Sequence, residues 1–558
     1  MRKIILLVVF TIATFSSGQK IPFTILKSLT FTDEYKESAI VFSNVNEKGE
    51  LLTVRSYKSN KLSYHQGFYI ENYTKDLKFL NDFDFEIKHP LSEKNCVVLG
   101  VFSLNNVLQI VEMYYDLKQK TFICQTNSIT NDFKVSKKEL FRLTNEEIKN
   151  YGNFSLQELF YQRANQLWNN DNSGDLGSLS EGNESGSSSG FFNARYESEK
   201  QSSCVTLVVN ESKTAFAIAL DFNVKNSEAL KLYLFDNQLN KKIETDFIRK
   251  VKDKKYVIQN MQVSNNGDTI LLLAKAFLEE EKKKRNGGKY VFELTKINAD
   301  SQNSQVIETN ENYIRSLKLL FHDNELICIG FYSDLADYKY KGICYFKLNA
   351  DSLVLLKSKF NFFTEQFMYD KYGESEDKAL KFLSFRKLFF TSANDLIFNA
   401  EEEYTTSSGG YYNGLNGVSS PSTQILNYDD ILSAKLSSEG DLIWARNINK
   451  NQRSDEDDSY ISYSSMIKDD QTYFFINAGE KIKKLKNDRI EFKYVRKNKS
   501  NLNVIRINNN GDFDYEEILD DENSAVPFMV SKGAILDANS ILFLGRKGNT
   551  KQLIRVTL

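Results

Sequence analysis

The sequence predicts an all-β chain: a β-propeller of seven to eight four-stranded blades, closed by its N-terminal strand and carrying one partly helical insertion. Three observations predict this fold. A turn rich in Asn, Asp and Gly recurs between the third and fourth strands of successive quartets. A second hairpin turn recurs ahead of it. The last quartet lacks one strand, which an unpartnered segment near the N-terminus can supply.

In chain order, residues 1–18 come first. Met1-Arg2-Lys3 is a basic start, the run from Ile4 to Phe10 with Ile12, Ala13 and Phe15 is apolar, and Ser16 and Gly18 are the small residues of a cleavage site. These are the marks of a secretory signal peptide removed before Gln19, and the run is too short to span a bilayer comfortably. No later apolar stretch approaches the ~18 residues of a membrane helix. The mature chain, 19–558, is therefore expected to be exported to the periplasm or the exterior, with no membrane span.

Residues 24–31 are strand-like and have no hairpin partner. The clearest quartet begins near Tyr313, with strands at 317–321, 325–331, 342–348 and 353–360 and turns at Asp323-Asn324 and Asn349-Ala350-Asp351. Asn, Asp and Gly tolerate the positive φ that tight hairpins demand. Copies of the later turn read Lys296-Ile297-Asn298-Ala299-Asp300, Lys435-Leu436-Ser437-Ser438-Glu439-Gly440 and Arg506-Ile507-Asn508-Asn509-Asn510-Gly511, with looser versions at 73–76, 114–117 and 233–237. The earlier hairpin repeats at 265–268, 469–470 and 537–539. Seven quartets precede residues 534–558, which supply only three strands. Pairing 24–31 there closes the ring and hides two sheet edges.

Residues 137–201 interrupt the pattern and are expected to form the partly helical insertion. Ser155-Leu156-Gln157-Glu158 is a capping box, and Thr144-Asn145-Glu146-Glu147 is a second capped start. Leu156, Leu159, Phe160, Ala164, Leu167 and Trp168 share one helical face. That face packs on the propeller or, through Leu156, Leu159, Phe160 and Trp168, binds a protein partner. Residues 171–190, rich in Ser, Gly and Asn, read as a loop, as do 405–423, which carry Tyr411 and Tyr412. The charge run 279–288 reads as a hairpin tip.

Composition agrees with a large sheet-built core: 41% of residues are hydrophobic and 13% aromatic, including 41 Phe and 29 Tyr. With 72 basic and 74 acidic residues the net charge is -2, which leaves no electrostatic footprint for nucleic acid. Five cysteines are too few for a disulfide scaffold, and no two stand in C-x-x-C spacing. Cys328 with Cys344 and Cys96 with Cys124 are open pairings that leave Cys204 over, while isolated buried thiols are the expectation.

No constellation forces a particular chemistry. His65, His89 and His322 stand apart, and His322 beside Asp323 reads as turn chemistry. There is no nucleophile elbow, phosphate loop or dinucleotide fingerprint. Asn169, Asp171, Ser173 and Asp175 echo a calcium loop, but Ser180 stands where its twelfth-position acid belongs. No cofactor, metal or catalytic residue is therefore expected. Glu401-Glu402-Glu403 and Asp455-Glu456-Asp457-Asp458 read as solvated acidic faces.

The run from Ser437 to Trp444 is superficially similar to the Asp-box turn of sialidase-type propellers, yet its glycine falls one place early and no arginine pattern accompanies it. It more closely resembles the Gly-x-x-x-Trp turn of quinoprotein-type propeller repeats, at Gly440 and Trp444. That resemblance implies a tryptophan docked between blades as structure and no quinone. With Lys450-Asn451-Gln452 following the Trp strand, the chain resembles exported propeller-like proteins common in Bacteroidetes, which implies no catalytic residues. The functional expectation is a noncatalytic scaffold for an envelope or extracellular protein. The alternative is a carbohydrate-binding protein or glycan-active enzyme using the 401–423 loop, with Tyr404, Tyr411 and Tyr412 as a sugar platform beside Glu401, Glu402 and Glu403.

Overall fold

In the computed structural model the aromatic and β-branched runs pair into eight antiparallel blades of four strands each. The structure describes residues 21–558 apart from 59–65, 88–95, 148–204, 223–227, 250–255, 278–289, 311, 335–338, 375–379, 381, 409–422, 455–456 and 495. Blades 1 to 8 begin at Ser38–Val45, Val97–Leu104, Val205–Val209, Tyr256–Val263, Tyr313–His322, Leu383–Phe390, Tyr463–Lys468 and Ala534–Asp537. These first strands are the inner ones: that of blade 1 lies against those of blades 8 and 2, and the contacts continue through blades 3, 4 and 5. Six of the eight carry a register break, between Ile40 and Phe42, Val98 and Gly100, Ile258 and Asn260, Ile314 and Leu317, Phe385 and Lys387, and Ile535 and Asp537. A bulge sharpens local twist and re-aims a side chain.

The ring closes as expected. Thr24–Lys27 pairs with Thr550–Thr557, Thr24 opposite Thr557 and Lys27 opposite Ile554, so the N-terminus supplies the outer strand of blade 8. Phe31–Thr32 adds to the far end of the same strand. Between them, Ser28 Oγ accepts from Leu553 N–H at 2.9 Å and Ser28 O accepts from the Gln552 amide at 2.9 Å.

The repeated turns have one geometry. Asn105-Asn106, Asp323-Asn324 and Asp469-Asp470 each place both residues at positive φ, the signature of a two-residue hairpin that follows strand twist. Between third and fourth strands, Leu77, Phe133, Leu239, Leu353, Gly440 and Gly511 sit at φ between +56° and +88°. Leu77 and Leu353 bury their own side chains there. Where glycine stands, the preceding blade sends a ring instead: a Cβ on Gly440 would meet Tyr345 at 2.2 Å, and one on Gly511 would meet Trp444 at 3.1 Å. Trp444 thus lies between blades 6 and 7, its indole N–H donating to Asn509 O at 3.1 Å. The apolar core fills these inter-blade layers, as where Phe141 of blade 2 stacks on Tyr233 of blade 3 at 4.0 Å.

Several expectations need correction. Residues 137–144 belong to Val135–Thr144, the outer strand of blade 2, so the insertion starts later than residue 137. An outer strand exposes most of its length, which hides the alternation that would mark it. Thr144 does begin a helical turn, its Oγ1 accepting from Glu147 N–H while Glu147 Oε2 accepts from Thr144 N–H. Residues 114–117 are the end of the second strand of blade 2 and the first residue of the turn to its third, not a turn between third and fourth strands. Helix α1, Glu365–Tyr372, between blades 5 and 6, was not signalled. Thr364 caps its start, and Gly373 at φ 78° ends it. A hairpin from blade 7, Lys483–Lys484 with Ile490–Lys493, joins blade 6 by parallel pairing of Asn449 with Glu491, widening that sheet to six strands. Cys96, Cys124, Cys328 and Cys344 are buried free thiols. The signal segment, Leu156, Leu159, Phe160, Trp168, Tyr411 and Tyr412 lie outside the described residues.

In an antiparallel meander alternate connections emerge on opposite faces. Here the connections from first to second and from third to fourth strands are all short and share one face, while the other holds α1, the extra hairpin, the helical turns Asp458–Tyr460 and Val530–Lys532 and short turns at 117–120 and 548–549. Among the described residues no helix is long and apolar enough to cross a membrane.

Candidate functional site

The loop face gathers charge most densely at blade 6. Its outer three strands, Leu396–Ser408, Thr423–Leu436 and Leu442–Ser454, run 13 or 14 residues, against 8 in blade 1, and so project beyond the blade body. Glu401, Glu402 and Glu403 lie on the first of them, at a register break opposite Tyr428 and Ile431. That irregularity lets consecutive acids reach separate partners.

Glu401 is fully buried with both oxygens engaged. Lys450 Nζ, also fully buried, lies 2.6 Å from Oε1, while Ser462 Oγ at 2.5 Å and Arg386 at 3.0 Å reach Oε2. Lys450 donates further to Tyr428 O at 2.8 Å and Gln452 Oε1 at 3.2 Å. Burial lowers the Lys450 ammonium below its usual range in spite of Glu401. Arg386, the bulge residue of the inner strand, also meets Glu403 at 3.0 Å.

Glu402 reaches α1 instead. Lys371 Nζ lies 2.9 Å from Glu402 and 2.6 Å from Asp430, and Asp430 also accepts from Asn447 and from the Lys450 backbone N–H. Arg446 holds the neighbouring Asp370 at 2.5 Å. Tyr404 packs its ring on Phe382 at 5.2 Å and donates to Asp429 at 2.7 Å. Tyr428 donates to Asp458 at 3.1 Å, and Arg546 pairs with Asp457.

Of the acidic runs expected to be solvated, Glu401 is internal and Glu402, Glu403, Asp457 and Asp458 are only partly exposed and partnered, while Asp455 and Glu456 lie outside the described residues. Glu401, Glu403 and Tyr404 do come together, but Glu401 has no oxygen left for a sugar and Glu403 is tied to Arg386. Lys371, Arg386, Asp430 and Lys450 were not anticipated, since their partners are up to 59 residues away. One signal was visible: Asp429-Asp430 stand as paired acids in the middle of an otherwise apolar-rich strand.

One ammonium shared by two carboxylates leaves the Lys371–Glu402–Asp430 group acid-rich. Burial, aided by Asp430, pushes the Glu402 carboxyl up to about 7, while Asp430 and Glu402 overcome burial to hold Lys371 above its usual range. The native state then keeps a proton on Glu402 that the unfolded chain has released, so the stability from this group falls as pH rises from about 4.5 to about 7. Glu402→Gln should flatten that slope, read as urea midpoints across the window. An unchanged slope would place the titration elsewhere.

Eight blades, a shared N- and C-terminal closure and one elaborated face define this chain as an eight-bladed β-propeller with a polar cluster on its loop face. No protein-family model matches the chain, and no curated protein matches it. Among solved structures it is similar to an acylaminoacyl peptidase from Pyrococcus horikoshii, at 8% identity over 81% of this chain and 49% of that one, TM-score 0.32. It is also similar to prolyl oligopeptidase B from Galerina marginata, at 8% identity over 94% and 55%, TM-score 0.37. A third is the β-propeller domain of the Trilobed protease from Pyrococcus furiosus, at 8% identity over 76% and 96%, TM-score 0.30. The chain spans about half the length of the first two. Such values bear on no activity of this chain.

Proposed function

We propose that the protein is an exported, noncatalytic propeller that holds a protein partner of the envelope or exterior on its loop face. The observation that carries this reading is the difference between the two faces: every first-to-second and third-to-fourth connection is a short turn on one, while the helix, the extra hairpin and the two helical turns stand on the other, beside short turns at 117–120 and 548–549. Loops held by a rigid scaffold are where binding is usually built. The blade 6 cluster supports the same reading, because its acids and bases pair with each other and with backbone groups, which fixes loops in place. The test is capture of a stoichiometric partner from an envelope extract by the mature chain, beside a copy lacking residues 149–201, which spares the strand Val135–Thr144. Capture that fails with the deletion locates the site in that segment, and capture kept by both moves it to blades 5 to 8. Retention on a glycan array with no captured protein would replace this reading with the carbohydrate one.

A further inference from the structure

A second cluster on the loop face, between blades 8 and 1, is built of rings. Tyr35 stacks on Tyr57 with centroids 4.6 Å apart and planes 5° apart; Tyr57 meets Tyr69 at 4.5 Å and Tyr35 lies 6.2 Å from Tyr69. Tyr57 lies at the loop-face end of Leu51–Lys58, Tyr69 on Gln66–Tyr73, and Tyr35 on the connection from the closing strand to blade 1. Gly67, opposite Tyr57, makes room: a Cβ there would stand 2.4 Å from the Tyr57 hydroxyl and from Phe85 O. The Tyr57 hydroxyl donates to Asp84 at 2.6 Å, which fixes its ring, and Tyr57 is buried while Tyr35 and Tyr69 remain half-buried. Such rings present contact area with little entropy left to lose on binding.

The exposed charges nearest the ring edges are mostly acids. Asp84 and Glu86 occupy the exposed face of Phe79–Glu86, and Glu34 is exposed beside Tyr35. Burial and then Glu34, Asp84, Glu86 and Asp33 raise the Tyr35 phenol, so the charges that weigh most on this ring are acids. The cluster already holds one cation of its own: the Arg55 guanidinium lies 5.3 Å from the Tyr69 ring centre and 5.1 Å from that of Phe31. Aromatic faces attract cations through the ring quadrupole, and flanking carboxylates add to that attraction.

We propose that Tyr35 and Tyr69, positioned by the buried Tyr57 between them, form with Glu34, Asp84 and Glu86 a recognition site for the guanidinium or ammonium head of a basic side chain on a partner peptide. The site rests on the preceding reading only for the source of that side chain. Cation–π attraction with acidic flanks favours a cation over a neutral sugar, which would gain nothing from the charge. The rings fix orientation, and the carboxylates on the rim draw the cation in at low salt.

The test uses the full mature chain and a short arginine–glycine peptide, beside its citrulline counterpart, which keeps shape and loses charge. Calorimetric titration at low salt should show binding of the arginine peptide, at least about fivefold weaker for the citrulline peptide. Tyr35→Ala, a half-buried connection residue, and Glu34→Gln, an exposed one, should each weaken the arginine peptide at least about threefold with the melting temperature nearly unchanged. Equal binding of the two peptides, or full binding by Tyr35→Ala, would overturn the proposal. A partner captured from the extract equally by wild type and Tyr35→Ala would sink this site and leave the scaffold reading standing. Arginine-peptide binding without any captured partner would do the reverse.

Discussion

Arg55→Met is expected to lower the free energy of unfolding by ~3–5 kcal/mol, because it leaves two buried carboxylates without their counter-charge. Arg55 makes a two-pronged contact with Glu71, Nε to Oε2 at 2.8 Å and Nη2 to Oε1 at 2.6 Å, and its Nη1 reaches Asp33 at 2.5 Å. All three side chains are under a tenth exposed. Methionine keeps much of the volume, so the loss reads charge and not cavity. Arg55→Lys keeps the charge but cannot reproduce the fork, and should fall between. Urea unfolding of the two variants against wild type is the measurement; a change within about 0.5 kcal/mol for Arg55→Met would mean that water or rearrangement already screens the pair.

The consequence reaches the ring closure. Asp33 lies on the connection that follows the closing strand, where its N–H donates to Asn549 O at 2.9 Å and the Asn549 amide donates to Asp33 O. Arg55 therefore ties that connection, and Tyr35 within it, to blade 1. The Arg55→Met variant should lose the arginine peptide along with stability, whereas Tyr35→Ala should lose the peptide alone.

How much of this was legible in the sequence follows from where the forces are local. Turn residues act on their own backbone, so Asp323-Asn324 and Asp469-Asp470 announced hairpins that the structure places there with positive φ. The closing strand was legible because residues 24–31 had nothing nearby to pair with. Helix α1 was not legible: it is two turns long, has little apolar face, and is held by Lys371 and Asp370 through partners on blade 6. Nor was the burial of Glu401, since a run of three glutamates is solvated unless distant bases reach it, and Lys450, Arg386 and Ser462 come from three separate segments. The tyrosine cluster was missed for the same reason. Its rings are spread from Tyr35 to Tyr69 and meet only because Gly67 lets one cross a neighbouring strand.

Lys450→Met is the second large effect. Burial lowers its ammonium even though Glu401 stands 2.6 Å away, and a buried ion pair is often no gain over apolar packing of the same volume. Breaking it from one side is another matter, because Glu401 keeps its charge in the interior with only Arg386 and Ser462 for company. The expected loss is about 3 kcal/mol for Lys450→Met, with most of it recovered in the double variant Lys450→Met/Glu401→Leu. A double variant as unstable as the single one would show that Glu401 matters through Ser462 and Arg386 and not through Lys450. The pair joins Leu396–Ser408 to Leu442–Ser454, and Glu401 carries the link on through Ser462 to the connection with blade 7. Amide exchange in the double variant should therefore rise in residues 401–408 and 457–462 while the inner strands stay protected. That outcome would assign the buried charges to holding the loop face in register, at a cost in stability that the eight-bladed ring can bear.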